Sequence, residues 1–242
     1  MRKVLLFAVM TAVCALGVHG QTVDELLSKY VKTIGGADKL AAIKTMRITG
    51  KFMGGGGFEA TVLQEAKRPN MIREEFGLQG MSQVNAYDGK QGWKIDPFQG
   101  KKDAETLGED ELKSIVEDSD FDGPLFDWKA KGNKIEYEGK EDFEGSDVYK
   151  LKVTLANGTV KHYFLDADYY VPIKIETKQT IRGTEVEFET ILGDYKEAGG
   201  VYFPFSYESG RKGSPNRSTI TYEKIEINPV LDDSRFTMPK GK

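Results

Sequence analysis

Cysteine, histidine and tryptophan are nearly missing from this chain, as is any second long apolar run. One cysteine (Cys14), two histidines (His19 and His162) and two tryptophans occur in 242 residues. A lone cysteine closes no intrachain disulfide, and if residues 1–20 are removed the remainder holds neither a disulfide nor a thiol nucleophile. One histidine would then be left, too few for a clustered zinc site or for a histidine with an ordered partner, so no metal site is expected. His162 is read as a core histidine on the face of Val153. Basic residues are outnumbered, 34 Lys and Arg against 38 Asp and Glu, which argues against binding to a phosphate backbone, so no nucleic acid partner is expected. No serine sits in a nucleophile elbow and no single pair of carboxylates stands out. The glycine clusters lie between strands rather than between strand and helix, which removes the phosphate cradle, so neither catalysis nor a cofactor is expected.

What is present begins with Arg2 and Lys3 ahead of an apolar run from Val4 to Val18. That is the pattern of a cleavable signal peptide over residues 1–20, with Cys14 leaving in it, and it implies export to the periplasm. No later run is long enough to anchor the chain in a membrane. Residues 21–242 then read as one domain, since no internal repeat and no Pro/Ser-rich linker divides them.

Thr22 to Ile34 carries a helix signal, with Thr22 as N-cap, Glu25 in a capping box and Gly35-Gly36 as the stop. A second short helix is expected over Asp38 to Ile43. From Met46 the period changes to two, and Gly54 to Gly57, Asp88-Gly89, Asn157-Gly158, Arg182-Gly183 and Gly199-Gly200 each separate alternating segments, the mark of successive hairpins. Leu107 to Asp118 interrupts them as an amphipathic helix with Leu112, Ile115 and Val116 on one side.

Two hairpins predict facing. A two-residue turn at Asn157-Gly158 pairs Leu155 with Val160, Val153 with His162 and Leu151 with Phe164, and puts Lys150, Lys152, Lys161 and Tyr163 on the wet side. A two-residue turn at Arg182-Gly183 pairs Ile175 with Thr190, Thr177 with Phe188 and Gln179 with Val186, with Lys178 facing Glu187 on the other side. The expected fold is mainly β: a curved antiparallel sheet of about ten strands forming an incomplete barrel, with the N-terminal helices and the 107–118 helix covering its concave face. So little helix over so much sheet predicts an apolar cavity, lined by Phe52, Phe58, Val62, Leu151, Val153, Phe164, Ile173, Ile175 and Phe188, with Trp93 at its mouth. The acids of 105–122 read as a solvated helix face, with a weak cation site as the alternative.

Lys67-Arg68-Pro69-Asn70, Tyr87-Asp88-Gly89, Trp93 and Asp96-Pro97-Phe98, in that order, resemble the LolA-type outer-membrane lipoprotein-sorting proteins. Ile34-Gly35-Gly36-Ala37-Asp38-Lys39-Leu40 is similar to a helical entry in a divergent branch, and Asp232 to Gly241 to the family's closing strand. The resemblance implies a periplasmic carrier or chaperone, monomeric, that takes the acyl chains of lipoproteins or other lipids from an inner-membrane donor toward an outer-membrane acceptor. It also implies that Arg68 latches a helical lid through the lid's carbonyls. The alternatives are an envelope-stress sensor or scaffold that binds a protein partner on the same fold, and a carboxylate-dependent hydrolase.

Overall fold

In the computed structural model, which describes residues 21–181 and 184–240, the first helix forms where its cap dictates. The Thr22 hydroxyl accepts from the Glu25 amide at 3.2 Å, and the Glu25 carboxylate accepts from the Thr22 amide at 3.0 Å. These two bonds satisfy donors that the first turn leaves free. Helix α1 (Val23–Thr33) buries Leu26 and Leu27, and α2 (Ala37–Ala42) follows it. Gly35, at φ +124°, makes the break, and a Cβ there would lie 2.4 Å from the Gly200 carbonyl oxygen. Only glycine allows that approach of the entry to the sheet. The expected signal peptide at 1–20 and the Arg182-Gly183 turn lie outside the described residues.

Among the described residues thirteen strands follow, rather than about ten. The first six are β1 (Thr45–Met53), β2 (Glu59–Lys67), β3 (Met71–Leu78), β4 (Met81–Tyr87), β5 (Gly92–Asp96) and β6 (Lys101–Thr106). Helix α3 (Glu109–Asp118) and an irregular stretch to residue 133 intervene. The remaining seven are β7 (Lys134–Phe143), β8 (Ser146–Thr154), β9 (Val160–Asp166), β10 (Pro172–Ile181), β11 (Thr184–Ala198), β12 (Val201–Arg211) and β13 (Arg217–Ile227). They form one antiparallel sheet in the order β6-β5-β4-β3-β2-β1-β13-β12-β11-β10-β9-β8-β7. Every pair of consecutive strands is adjacent in the sheet except β6 and β7, and the first strand also meets the last at β1–β13. The edge strands β6 and β7 do not pair, so the barrel is incomplete, and the only chain between them is α3 with residues 119–133. That segment therefore spans the open side.

The β10–β11 register is the one read from the sequence: Ile175 opposite Thr190, Thr177 opposite Phe188, Gln179 opposite Val186 and Lys178 opposite Glu187. The β8–β9 register is not. Gly158, at φ +86°, closes a three-residue loop in which the Leu155 amide donates to the Thr159 carbonyl at 2.8 Å. Leu151 consequently pairs with Tyr163, Lys152 with His162 and Val153 with Lys161. One extra loop residue turns every β9 side chain over. Lys161, Tyr163 and Leu165 point inward, whereas His162 and Phe164 point outward.

Inside, α1 and Leu125 cover a core of Leu151, Val153, Tyr163 and Leu165, while α2 packs with Val171 and Val201. Helix α3 lays Ile115 on Ile72 and Tyr87, with Leu112 beside them; Val116, expected on the same side, is exposed. The outer face has its own cover. Residues 228–240 form no closing strand; they cross the backs of β2 to β5, burying Phe236 and meeting Trp93, Val84 and Ala86 through Met238. Glu65, only 1% exposed, is held under this strap by Arg47 at 2.8 Å and Arg235 at 2.7 Å.

Candidate functional site

The register fixes which side chains look into the half-barrel. Ile48, Val62, Gln64, Glu74, Phe76, Asn85 and Tyr222 follow from the β1–β4 and β13 pairings, and Lys161 and Tyr163 come from β9 across the fold. Together with Glu117, Asp118 and Asp120 they line a hollow of about 640 Å³, within the range of small-molecule sites. Residues from β3 and β9, far apart in the strand order, share one hollow only because the sheet curls.

This hollow is not the uniformly apolar one expected. Gln64, Glu74 and Asn85 stand directly opposite one another on β2, β3 and β4, giving a polar row through the apolar wall, and the row continues to Lys94 on β5. The greasier space is behind the lid: a separate cavity of about 240 Å³, bounded by Phe121, Leu125, Ile175, Leu192, Tyr195 and Tyr207. Gly123, Pro124 and Tyr163 border both spaces. Much of the apolar interior is thus filled by the protein's own Phe121, Leu125 and Phe126, which pack on the two inner cores.

Toward the β1–β2 turn the wall becomes aromatic. Phe52 lies 5.2 Å from Phe76 and 5.6 Å from Phe58, and Phe76 lies 6.3 Å from Phe98, centroid to centroid. Phe58 and Phe98 are exposed, so a run of rings leads out of the hollow.

Arg68 anchors the cover. Its Nε donates to the Ile43 carbonyl at 2.6 Å and its Nη2 to the Leu40 carbonyl at 3.1 Å, both at the end of α2. The same guanidinium binds Asp122 and lies 4.7 Å from the Phe121 ring. One planar fork thus joins the entry helix to the segment after α3. Lys161 adds a second tie, meeting Glu117 of α3 at 2.9 Å, and Lys131 holds Asp120 at 2.7 Å.

The inward acids differ in their support. Burial works to raise the Glu117 carboxyl, but bonds from Lys161, Asn157 and Thr159 together hold it below its ordinary range. Asp120 is raised by burial, partly opposed by Lys131. Glu74 has no ion-pair partner among the described residues; burial, with the nearby Asp118 charge, pushes it up to about 7. Tyr222, half-buried, is pushed up to about 12 by its loss of solvent and the nearby Glu74 charge.

Of the residues expected to line the cavity, Val62 lines the larger hollow, and Phe52 and Phe58 belong to its aromatic end. Ile175 borders the smaller space; Leu151 and Val153 lie in the core beneath α1, and Ile173 in the core around α2. Phe188 borders a groove with Arg211 and Arg217. Two placements are corrected. Trp93 is on the outer face, donating its indole N–H to the Phe236 carbonyl at 2.6 Å; alternation shows that a strand face is apolar, not which cover it meets. Phe164, displaced by the loop residue, is also outside, with Lys174 Nζ 4.0 Å from its centroid. His162 shares that face, 3.5 Å from Glu138, rather than sitting in the core. The acids of 105–122 are not all solvated: Asp118 lines the hollow but is exposed, Asp120 is half-buried there, and the Asp122 side chain is buried against Arg68. Among the described residues no three metal-binding side chains converge.

The inward Glu74 is not singled out by the sequence reading, although Ile72-Arg73-Glu74-Glu75-Phe76 places it by alternation on the face of two apolar residues. Lys161 and Tyr163 could not be found without the true loop length.

No protein-family model and no curated protein matches the chain. Solved structures do. A LolA superfamily protein from Nitrosomonas europaea superposes with a TM-score of 0.61 at 13% identity, over 90% of this chain and 98% of that one. A DUF1329 family protein from Desulfovibrio piger gives 0.59 at 11% identity, over 89% and 97%. A domain described as an outer membrane lipoprotein-sorting protein from Vibrio parahaemolyticus gives 0.57 at 11% identity, again over 89% and 97%. With its open antiparallel sheet, inner helices and spanning segment, the chain shares the fold of these three structures.

Proposed function

We propose that this protein is an exported carrier of the cell envelope, and not an enzyme, which shelters the acyl chains of a lipoprotein or another lipid in its concave face and passes them toward the outer membrane. The observation that carries this reading is the segment tied across the open side, whose Phe121, Leu125 and Phe126 occupy the greasiest part of the interior. Incoming chains would take the place of these side chains. The two apolar contents then compete, which keeps binding reversible even though each buried methylene contributes about 0.8 kcal/mol. Arg68 is the latch of the closed form, and a donor and an acceptor in the two membranes are the expected partners. The likeness of fold to a lipoprotein-sorting domain supports the same reading.

The direct test is to recover the protein from its native envelope and identify co-purified molecules by mass spectrometry. Stoichiometric acylated species are expected. A tightly held protein partner with no lipid would favour a scaffold instead.

A further inference from the structure

Glu74 sits where a carrier of purely neutral lipid has no use for it. Its side chain is half-buried on the inward face of β3 and lines the hollow. Its one hydrogen-bond neighbour among the described residues is Gln64 Nε2, at 3.5 Å, the outer limit of a bond. The lysines facing the same space are accounted for, as is Asp120. Lys161 from β9 is taken by Glu117 of α3, Lys94 on β5 by Glu111, and Asp120 by Lys131. Asp118 at the end of α3 is a second acid without an ion-pair partner, and Asn85, Tyr163 and Tyr222 are the neutral polar groups nearby. Arg73 and Glu75, adjacent in sequence, point to the outer face, where they bind each other and Arg235. The hollow therefore presents two carboxyls without an ion-pair partner among the described residues, exposed Asp118 at the end of α3 and half-buried Glu74 in the polar row. Phe76 lies two residues along the same strand and opens the aromatic run to Phe52 and Phe58.

We infer that the hollow accepts an amphiphile whose polar end carries an amine cation, the cation lying against Glu74 and the chain running along Phe76 toward Phe52 and Phe58. This deepens the carrier reading and rests on it. A carboxyl enclosed without a cation is costly to ionise, and a ligand ammonium supplies both the missing charge and the hydrogen-bond donors. Binding then draws a proton off Glu74 below about pH 7, so affinity for a cationic amphiphile rises with pH up to that point and levels above it.

The test uses the chain of residues 21–242 and three probes of one chain length below their micelle concentrations: dodecylammonium, dodecanol and dodecanoate. Calorimetry at pH 6.5 in two buffers of different ionisation enthalpy also counts the protons released. Dodecylammonium is expected to bind at least about tenfold more tightly than dodecanol, the scale of one charge-assisted hydrogen bond, with dodecanoate weakest and with proton release seen only for the amine. Glu74→Gln should abolish the preference and the proton release while dodecanol still binds. Glu109→Gln, an equal charge change at an exposed position of α3, should leave both intact. Equal binding of the three probes by the wild-type chain, or a preference that survives Glu74→Gln, would overturn the inference while leaving a carrier in place. Failure of all three to bind would overturn the carrier reading and this one with it.

Discussion

The guanidinium of Arg68 and the carboxylate of Asp122 meet as a two-pronged pair, Nη1 to Oδ2 at 2.6 Å and Nη2 to Oδ1 at 2.7 Å. Asp122 is 5% exposed in its side chain and Arg68 27%. Arg68→Leu strands the buried carboxylate and frees the Leu40 and Ile43 carbonyls, a cost on the order of 3 kcal/mol. The effect should be local: amides of 119–126 are expected to exchange hydrogen much faster, with β1 and β2 unaffected. Unchanged protection of that segment would remove Arg68 from the role of latch.

The outer face offers a contrast. Glu65 is paired with two arginines beneath the C-terminal strap, so Glu65→Ala should lower global stability by about 2–4 kcal/mol in urea titrations. Probe binding per folded molecule should stay the same. A binding defect without a stability defect would mean that the strap communicates with the hollow.

The Glu74 carboxyl, raised from 4.5 to about 7, sets a sign for pH. Between those values the folded chain keeps a proton that the unfolded chain has released, so stability falls as pH rises through the window and levels off above it. Glu74→Gln has no such slope. The variant should gain roughly 3 kcal/mol over wild type at pH 8 and almost nothing at pH 4; parallel stability curves across that range would contradict the assignment.

Phe76 stands between Phe52 and Phe98 at the aromatic end of the hollow. Phe76→Ala should weaken a dodecyl probe by about 1–2 kcal/mol, roughly tenfold, because the truncated side chain covers less of the probe's apolar surface. A hexyl analogue should be affected less. Equal effects on both lengths would place the chain elsewhere.

The two tryptophans give independent reporters, Trp93 under the strap and Trp128 packed at the edge of the core beneath α1. In Trp93→Phe, ligand binding should red-shift the remaining emission as the spanning segment lifts. In Trp128→Phe the emission should not move.

Much of this architecture is legible in the residues. Thr22 and Glu25 announce α1, glycines mark the hairpins, and Lys178 with Glu187 fixes the facing of β10 and β11 because a slip would bury charge. The 156–158 loop escapes prediction for a local reason: Asn-Gly suits a two-residue turn, but Gly158 also suits the left-handed third position of a longer loop, and the two differ by a complete inversion of β9. Trp93 is misplaced for a different reason, since its cover comes from residues 228–240, distant in sequence and without strand or helix pattern. The site is least visible because it depends on strands far apart in the chain meeting through curvature.

The stretch joining β6 to β7 begins on one rim of the sheet and ends on the other. A flap hinged at one end could swing clear of its opening, but a strap sewn to both rims cannot. It must either bow outward, giving up some of the winding in α3, or let the rims part and flatten the curl of the sheet beneath it. In the proposed carrier, entry of cargo is thus coupled to the shape of the whole sheet, and a crosslink holding β6 and β7 at a fixed separation would hinder loading without touching a single residue of the hollow.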